Sequence, residues 1–255
     1  MTYKGYLIDL DGTMYRGGEV ISEAIEFVNE LKRRELPYLF VTNNSTKTPE
    51  IAAAHLRKLS IPATPEHVYT SAMATASYIR EQNPEARIYV IGEAGIREAC
   101  RHAGLVEATE NVDFVVVGLD RELTYQKIKQ ASLLIQQGAT FIATNQDHAL
   151  PTEEGLVPGN GSIVAAIASA SGTKPMFVGK PEALIMTQAL RKLRLGADET
   201  IMVGDNYRTD IMAGLNAGID TMLVLSGVTT EADLPQLPVK PTVTLQALSQ
   251  WTFDQ

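Results

Sequence analysis

The chain has 255 residues, 45% hydrophobic and 20% charged, with 30 Asp and Glu against 22 Lys and Arg for a formal net charge of −8. That length allows one large domain or two modest ones, with ample material for a core. The acidic balance argues against a protein that coats nucleic acid or an anionic membrane, although a metal ion can reverse the sign of a local site and admit a small anion. Met1-Thr2-Tyr3-Lys4-Gly5 lacks the basic head and long apolar run of a secretory signal, and no stretch approaches the ~20 apolar residues of a membrane helix. Cys100 is the only cysteine, which excludes an intrachain disulfide and a Cys-based zinc site. A reducing, cytoplasmic setting is expected, in which the glycosylation-like pattern at Asn43-Asn44-Ser45 has no meaning.

Short apolar runs alternate with amphipathic stretches from one end to the other, the pattern of an α/β protein with a mainly parallel sheet. A strand at 6–10 is followed by a helix over 22–36 with Ile25, Val28 and Leu31 on one stripe, then a strand at 37–42 and a helix opened by Thr48-Pro49. Further strands fall at 88–92, 114–118, 140–144 and 176–179. A helix over 182–195 lines up Ile185, Ala189, Leu190 and Leu193, and the last strands are 200–204 and 222–225. Gly138 and Gly196 stand where helices should stop. Met186, Met202, Met212 and Met222 fall in periodic apolar segments and belong in the core. Lys32-Arg33-Arg34 and Arg191-Lys192 with Arg194 read as solvated helix faces. Gly159-Asn160-Gly161 is a plain helix start, since no strand is expected to run into it and the third glycine of a dinucleotide loop is missing. Gly179-Lys180-Pro181 lacks the other residues of a P-loop.

Four strand ends carry polar or glycine residues: Asp9-Leu10-Asp11-Gly12-Thr13, Thr42-Asn43-Asn44-Ser45, Gly179-Lys180-Pro181 and Gly204-Asp205-Asn206. Ligands of open α/β sheets bind at the carboxyl ends of strands, so these four point to one pocket. Asp9 and Asp11 are too close for both to stay ionised without a cation or a shared proton. With Asp205 they make an oxygen-rich site of the kind Mg²⁺ prefers. Lys180 supplies fixed positive charge, and the Thr42 hydroxyl and nearby backbone N–H groups can donate to phosphate, with Asn43 and Asn206 beside them in the substrate-binding set. Such a clamp suits phosphoryl transfer. Asp9 at the strand tip is the nucleophile, forming an acyl phosphate that water cleaves. Asp11, just beyond it, is the acid/base.

Asp9-Leu10-Asp11-Gly12-Thr13 resembles the first motif of the haloacid dehalogenase superfamily, DxDG[TV]. Thr42 with Asn43 resembles the second motif, Lys180 the third, and Gly204-Asp205 with Asp210 the fourth, GDxxxxD. The resemblance implies that Asp9 and Asp205 bind Mg²⁺ through side chains and Asp11 through its main-chain carbonyl. It also implies that Thr42, the Asn43 amide and Lys180 hold the phosphate, and that Asp210 supports the metal ligands from behind.

Between Asp9 and Thr42 lie too few residues for a further domain, whereas Thr42 to Lys180 spans far more than one βα unit needs. The excess is an inserted domain, expected over 82–175, with a catalytic core over 1–81 and 176–255. Its position resembles the second cap class of the superfamily. Ala143-Thr144-Asn145-Gln146-Asp147, Pro158-Gly159-Asn160-Gly161 and the stretch 69–75 resemble NagD-type phosphatases. The fold so implied is a Rossmann-like, doubly wound parallel sheet with an inserted α/β C2 cap. The function so implied is Mg²⁺-dependent hydrolysis of a small phosphorylated metabolite, a sugar or acid-sugar phosphate first. Cap closure would exclude water, and loops near Asp120 and Asn145 to His148 would select substrate. Neither nucleic acid nor membrane is expected as a partner, and exposed cap surfaces would allow a homo-oligomer. Two alternatives stand beside this: a phosphomutase, and a non-catalytic sugar-phosphate sensor.

Overall fold

The computed structural model describes residues 3–253. The chain divides into two units: Met1–Thr42, Pro49–Tyr69 and Lys180–Gln255 form the first, Asn43–Thr48 and Thr70–Gly179 the second. Chain order begins with β1 (Gly5–Ile8), the two-residue strands β2 (Tyr15–Arg16) and β3 (Glu19–Val20), α1 (Ser22–Arg33), β4 (Tyr38–Thr42), α2 (Pro49–Lys58) and β5 (Val68–Thr70). The second unit holds α3 (Ser71–Gln82), β6 (Arg87–Ile91), α4 (Ala94–His102), β7 (Val106–Glu107), β8 (Phe114–Val117), α5 (Tyr125–Gln136), β9 (Thr140–Ala143), β10 (Ala149–Thr152), β11 (Gly155–Pro158), α6 (Asn160–Ser171) and β12 (Met176–Phe177). The chain returns through α7 (Ala183–Leu193), β13 (Thr200–Gly204), α8 (Met212–Asn216), β14 (Asp220–Val224) and β15 (Val243–Leu245).

The first unit is built on a six-stranded sheet in the order β15-β14-β13-β1-β4-β5. β1 pairs in parallel with β13 on one side and β4 on the other. β1, β4 and β13 are buried along their whole length, as strands of a parallel sheet covered on both faces should be. α1 buries Ala24, Phe27, Val28 and Leu31, so the apolar stripe expected on Ile25 is centred one position earlier, on Ala24 and Phe27. Met186, Met202 and Met222 are fully buried and Met212 partly so, in line with their apolar periodicity.

The second unit has its own five-stranded parallel sheet, β12-β9-β8-β6-β7, and its own core of Val115, Val117, Phe141, Ile163 and Ile167. Its limits differ from the expected 82–175 at both ends. α3 belongs to it, because Ser71, the first residue of α3, bonds to Asn43 within the same unit. β12 belongs to it because Met176 and Phe177 pair with Ile142 and Ala143 of β9. β12 alone was too short and too ordinary in composition to show which sheet it would join. Asn160 opens α6 directly after Gly159, as expected of a plain helix start. A strand does run into it, against expectation, but β11 pairs only with β10 in an antiparallel hairpin and is not part of a βαβ unit. Gly196 is not the left-handed stop of α7; Arg194 takes that conformation at φ 60°. Among the described residues, no helix is long and apolar enough to cross a membrane.

Candidate active site

β1 lies where the strand order of the first sheet reverses: the chain leaves it through α1 to β4 on one side, while β13 arrives on the other. A crevice outside the carboxyl ends is expected at such a point. The Asp9 N–H extends the β1–β13 ladder by donating to Val203 O at 2.9 Å, so Asp9 leaves the sheet with its backbone still held. Asp205 follows Gly204 at the end of β13, and Thr42 closes β4. Three neighbouring strands therefore present Asp205, Asp9 and Thr42 along one edge.

The carboxylates of Asp9, Asp205 and Asp210 come together, with one oxygen of each within 4.8 Å of the others, and all three residues are buried. Lys180, also buried, joins them. Its Nζ donates to Asp9 Oδ1 at 2.5 Å, Asp210 Oδ1 at 2.7 Å and Val41 O at 3.0 Å. Those three acceptors match the three protons of an ammonium. The Thr13 hydroxyl lies 3.2 Å from Asp205 Oδ1 and 3.4 Å from Asp9 Oδ2. Asp210 is fixed in turn by the Asn206 N–H, which donates to its Oδ2 at 3.0 Å.

Three buried carboxylates against one ammonium leave two negative charges uncompensated. Burial, then repulsion from Asp210, raises Asp9 well above the carboxylate range despite Lys180, and the same two causes push Asp205 up to about 6. For Lys180, burial alone would lower the pKa, but Asp210 and Asp9 outweigh it and hold the ammonium above its usual range. A divalent cation among oxygen donors is the group that would cancel this excess, so the residues fit Mg²⁺.

Not every expected residue joins the cluster. The Asp11 side chain is exposed and stands outside it, accepting from the Tyr15 hydroxyl at 3.3 Å. The third converging carboxylate is Asp210, four residues into a one-turn helix after Asn206, a placement that spacing alone could not reveal. The Asn206 side-chain oxygen caps that turn by accepting from the Arg208 N–H at 3.0 Å. Asn43 belongs to the second unit, where its carbonyl accepts from Ser71 Oγ at 2.7 Å and Asn145 Nδ2 at 2.8 Å, and its Nδ2 donates to Asp147 Oδ2 at 3.3 Å. Asp120 is buried and ion-paired with Lys127 at 2.7 Å, while His148 is exposed.

Residues 6–106 match the family described as haloacid dehalogenase-like hydrolase, and residues 177–251 match one described as HAD-hydrolase-like. The chain is 55% identical over 250 residues to the 5'-nucleotidase YutF of Bacillus subtilis, covering 98% of each. It is 49% identical over 249 residues to an acid sugar phosphatase of Staphylococcus aureus, covering 97% of this chain and 96% of that one. The chain belongs to the haloacid dehalogenase-like hydrolases. Within them it is a NagD-like phosphatase: the structure of NagD from E. coli K-12 superposes with a TM-score of 0.94 at 35% identity, over 99% of this chain and all of that one. The phosphatase also uses a segment that no motif flagged. Residues 226–229, after β14, pack on Asp205, and the Val228 N–H donates to Asp205 Oδ2 at 2.6 Å. Only Ser226-Gly227 signalled it in the sequence, as one more polar strand end.

Proposed function

We propose that this phosphatase is a Mg²⁺-dependent phosphomonoesterase for small sugar or acid-sugar phosphates, working through an aspartyl phosphate on Asp9. The observation that carries it is the buried group of Asp9, Asp205, Asp210 and Lys180 at the sheet edge, with more negative charge than its one ammonium balances. Asp9 and Asp205 would hold the ion with the Asp11 carbonyl, and Mg²⁺ when bound would withdraw charge from the phosphate oxygens.

An Asp9 carboxylate oxygen attacks phosphorus while the bond from phosphorus to the substrate alcohol breaks. The Asp11 carboxyl gives its proton to the departing oxygen. Water then attacks the phosphorus of the acyl phosphate, Asp11 takes a proton from it, and inorganic phosphate leaves as the Asp9 carboxylate re-forms. The exposed position of Asp11 suits a group that must meet first an alcohol and then water. Lys180 and the Thr42 hydroxyl orient the phosphate, with the Asn43 amide next in the chain. Because all three Lys180 protons are already engaged, one is re-aimed when phosphate binds. The first unit is thus the catalytic core and the second the substrate-selecting cap, in a protein placed in the cytoplasm.

The name of the S. aureus relative supports acid-sugar phosphates. The higher identity to YutF supports nucleoside 5'-monophosphates as the second reading. Release of inorganic phosphate from p-nitrophenyl phosphate, then from a panel of sugar phosphates, acid-sugar phosphates and nucleotides ranked by kcat/KM, tests both. No release from any of them in ample Mg²⁺ would turn the assignment to a sensor, and an isomeric phosphorylated product to a mutase.

A further inference from the structure

Asp205 is enclosed on two sides by glycines. A Cβ at Gly227 would lie 1.9 Å from Asp205 Oδ2, and one at Gly12, where φ is +93°, would lie 2.4 Å from the same oxygen. Neither position leaves room for a side chain, so the carboxylate is wedged between two backbones. Residues 226–229 add specific bonds. Besides the Val228 N–H on Oδ2, the Thr229 N–H donates to the Asp205 main-chain oxygen at 3.1 Å, and Thr229 Oγ1 accepts from the Tyr207 N–H at 2.8 Å. The same segment is bound to the turn after β1. Ser226 Oγ donates to Gly12 O at 2.8 Å, and Nε and Nη2 of Arg16 both donate to Ser226 O.

We infer that residues 226–229, fastened by Arg16, are a positioning segment for the divalent-cation site: they set where the Asp205 carboxylate oxygens stand and so how tightly an ion is held. Arg16 acts through the Ser226 carbonyl, and Ser226 acts through Gly12 and along the backbone to Val228. Outer partners of this kind commonly govern metal affinity about as strongly as some ligands do. The inference rests on the metal reading above and extends it to residues outside the four motifs.

The test is calorimetric titration of Mn²⁺ and Mg²⁺ into the chelator-treated full chain, with the thermal midpoint of the metal-free protein measured alongside. Gly227→Ala should weaken binding by roughly 10–100-fold, and Arg16→Ala and Ser226→Ala by several-fold each. The Arg16→Ala/Ser226→Ala pair should be less than additive, since both act through one segment. The two single variants remove bonds without adding bulk, so their metal-free midpoints should stay within a few degrees of the parent even if Gly227→Ala folds poorly. Parental affinity in both Arg16→Ala and Ser226→Ala would overturn the inference while leaving the metal site standing. A parent that binds no better than Asp205→Asn would overturn the metal reading and this inference with it.

Discussion

The two parallel sheets end in polar side chains of opposite kinds. At the carboxyl edge of the first stand Asp9, Asp205, Asp210 and Lys180, whose charges do not cancel. At the corresponding edge of the second is a set of amide and hydroxyl groups bonded mostly to one another, with Asn160 Oδ1 buried and left without a partner among the described residues. Asn160 Nδ2 donates to Asn145 O at 2.9 Å and lies 3.3 Å from both Val117 O and Thr144 Oγ1, while Asn145 Oδ1 accepts from the Asp147 N–H at 3.2 Å. A seam of this sort makes most of its bonds within the chain, and the open acceptor on Asn160 carries no net charge. A buried cluster with net charge stays costly until something from outside balances it. The same architecture thus yields a structural seam in one unit and a reactive site in the other.

The sharpest way to break this contrast is Asp9→Asn. It should remove turnover of p-nitrophenyl phosphate by at least about a thousandfold if Asp9 accepts the phosphoryl as proposed. The metal-free thermal midpoint should not fall, since a buried charge is lost. Retained turnover would move the nucleophile elsewhere. The matching change in the second unit, Asn160→Ala, should do the reverse. It strands the Asn145 carbonyl, although the Val117 carbonyl keeps the Thr144 N–H, at a cost of about 1–3 kcal/mol that lowers the midpoint by roughly 3–10 °C, while the midpoint gain on adding Mg²⁺ persists. Loss of that gain would mean the two regions are not separable.

pH sharpens the comparison further. The Asp205 pKa rises from an ordinary 3.8 to about 6 on folding, so between those values the folded chain holds more protons than the unfolded one. The stability this contributes is fully present below about pH 4 and is lost as pH climbs through 6, on the order of 2–3 kcal/mol, with Asp9 acting in the same direction. The increase in thermal midpoint caused by Mg²⁺ should therefore grow between about pH 4.5 and 7, and shrink in Asp205→Asn. A metal effect independent of pH would contradict it. The smallest effect expected is that of Tyr15→Phe, which removes the hydroxyl holding Asp11 Oδ2. A loss in kcat/KM of about threefold to tenfold is expected for alkyl phosphates, whose leaving group needs a proton, and less for p-nitrophenyl phosphate. Equal losses for both would show that Tyr15 does not act through Asp11.

Much of this was readable in advance. The buried strands announced themselves because parallel strands covered on both faces must be apolar throughout, as in Tyr38–Thr42 and Thr200–Gly204. The short pairs Tyr15–Arg16 with Glu19–Val20, and Ala149–Thr152 with Gly155–Pro158, did not, because two to four half-exposed residues carry too little periodicity. Asp9, Asp205 and Lys180 were legible because a carboxylate or lysine at the end of an apolar strand has few other uses. The parts played by Arg16 and residues 226–229 were not, and the motif placed Asp210 only as a support, because the meeting of these groups depends on where a turn brings the backbone.

Local composition and order determined the α/β class, the long insertion between Thr42 and Lys180, and the acidic residues placed at strand ends, since these follow from periodicity and chain connectivity. Only the tertiary structure decided which carboxylates share one buried volume, that β12 joins the second sheet, and that Gly227 must be bare beside Asp205. Burial, repulsion and close approach are properties of distances in space, and residues 23 or 192 positions apart acquire them only when the chain is folded.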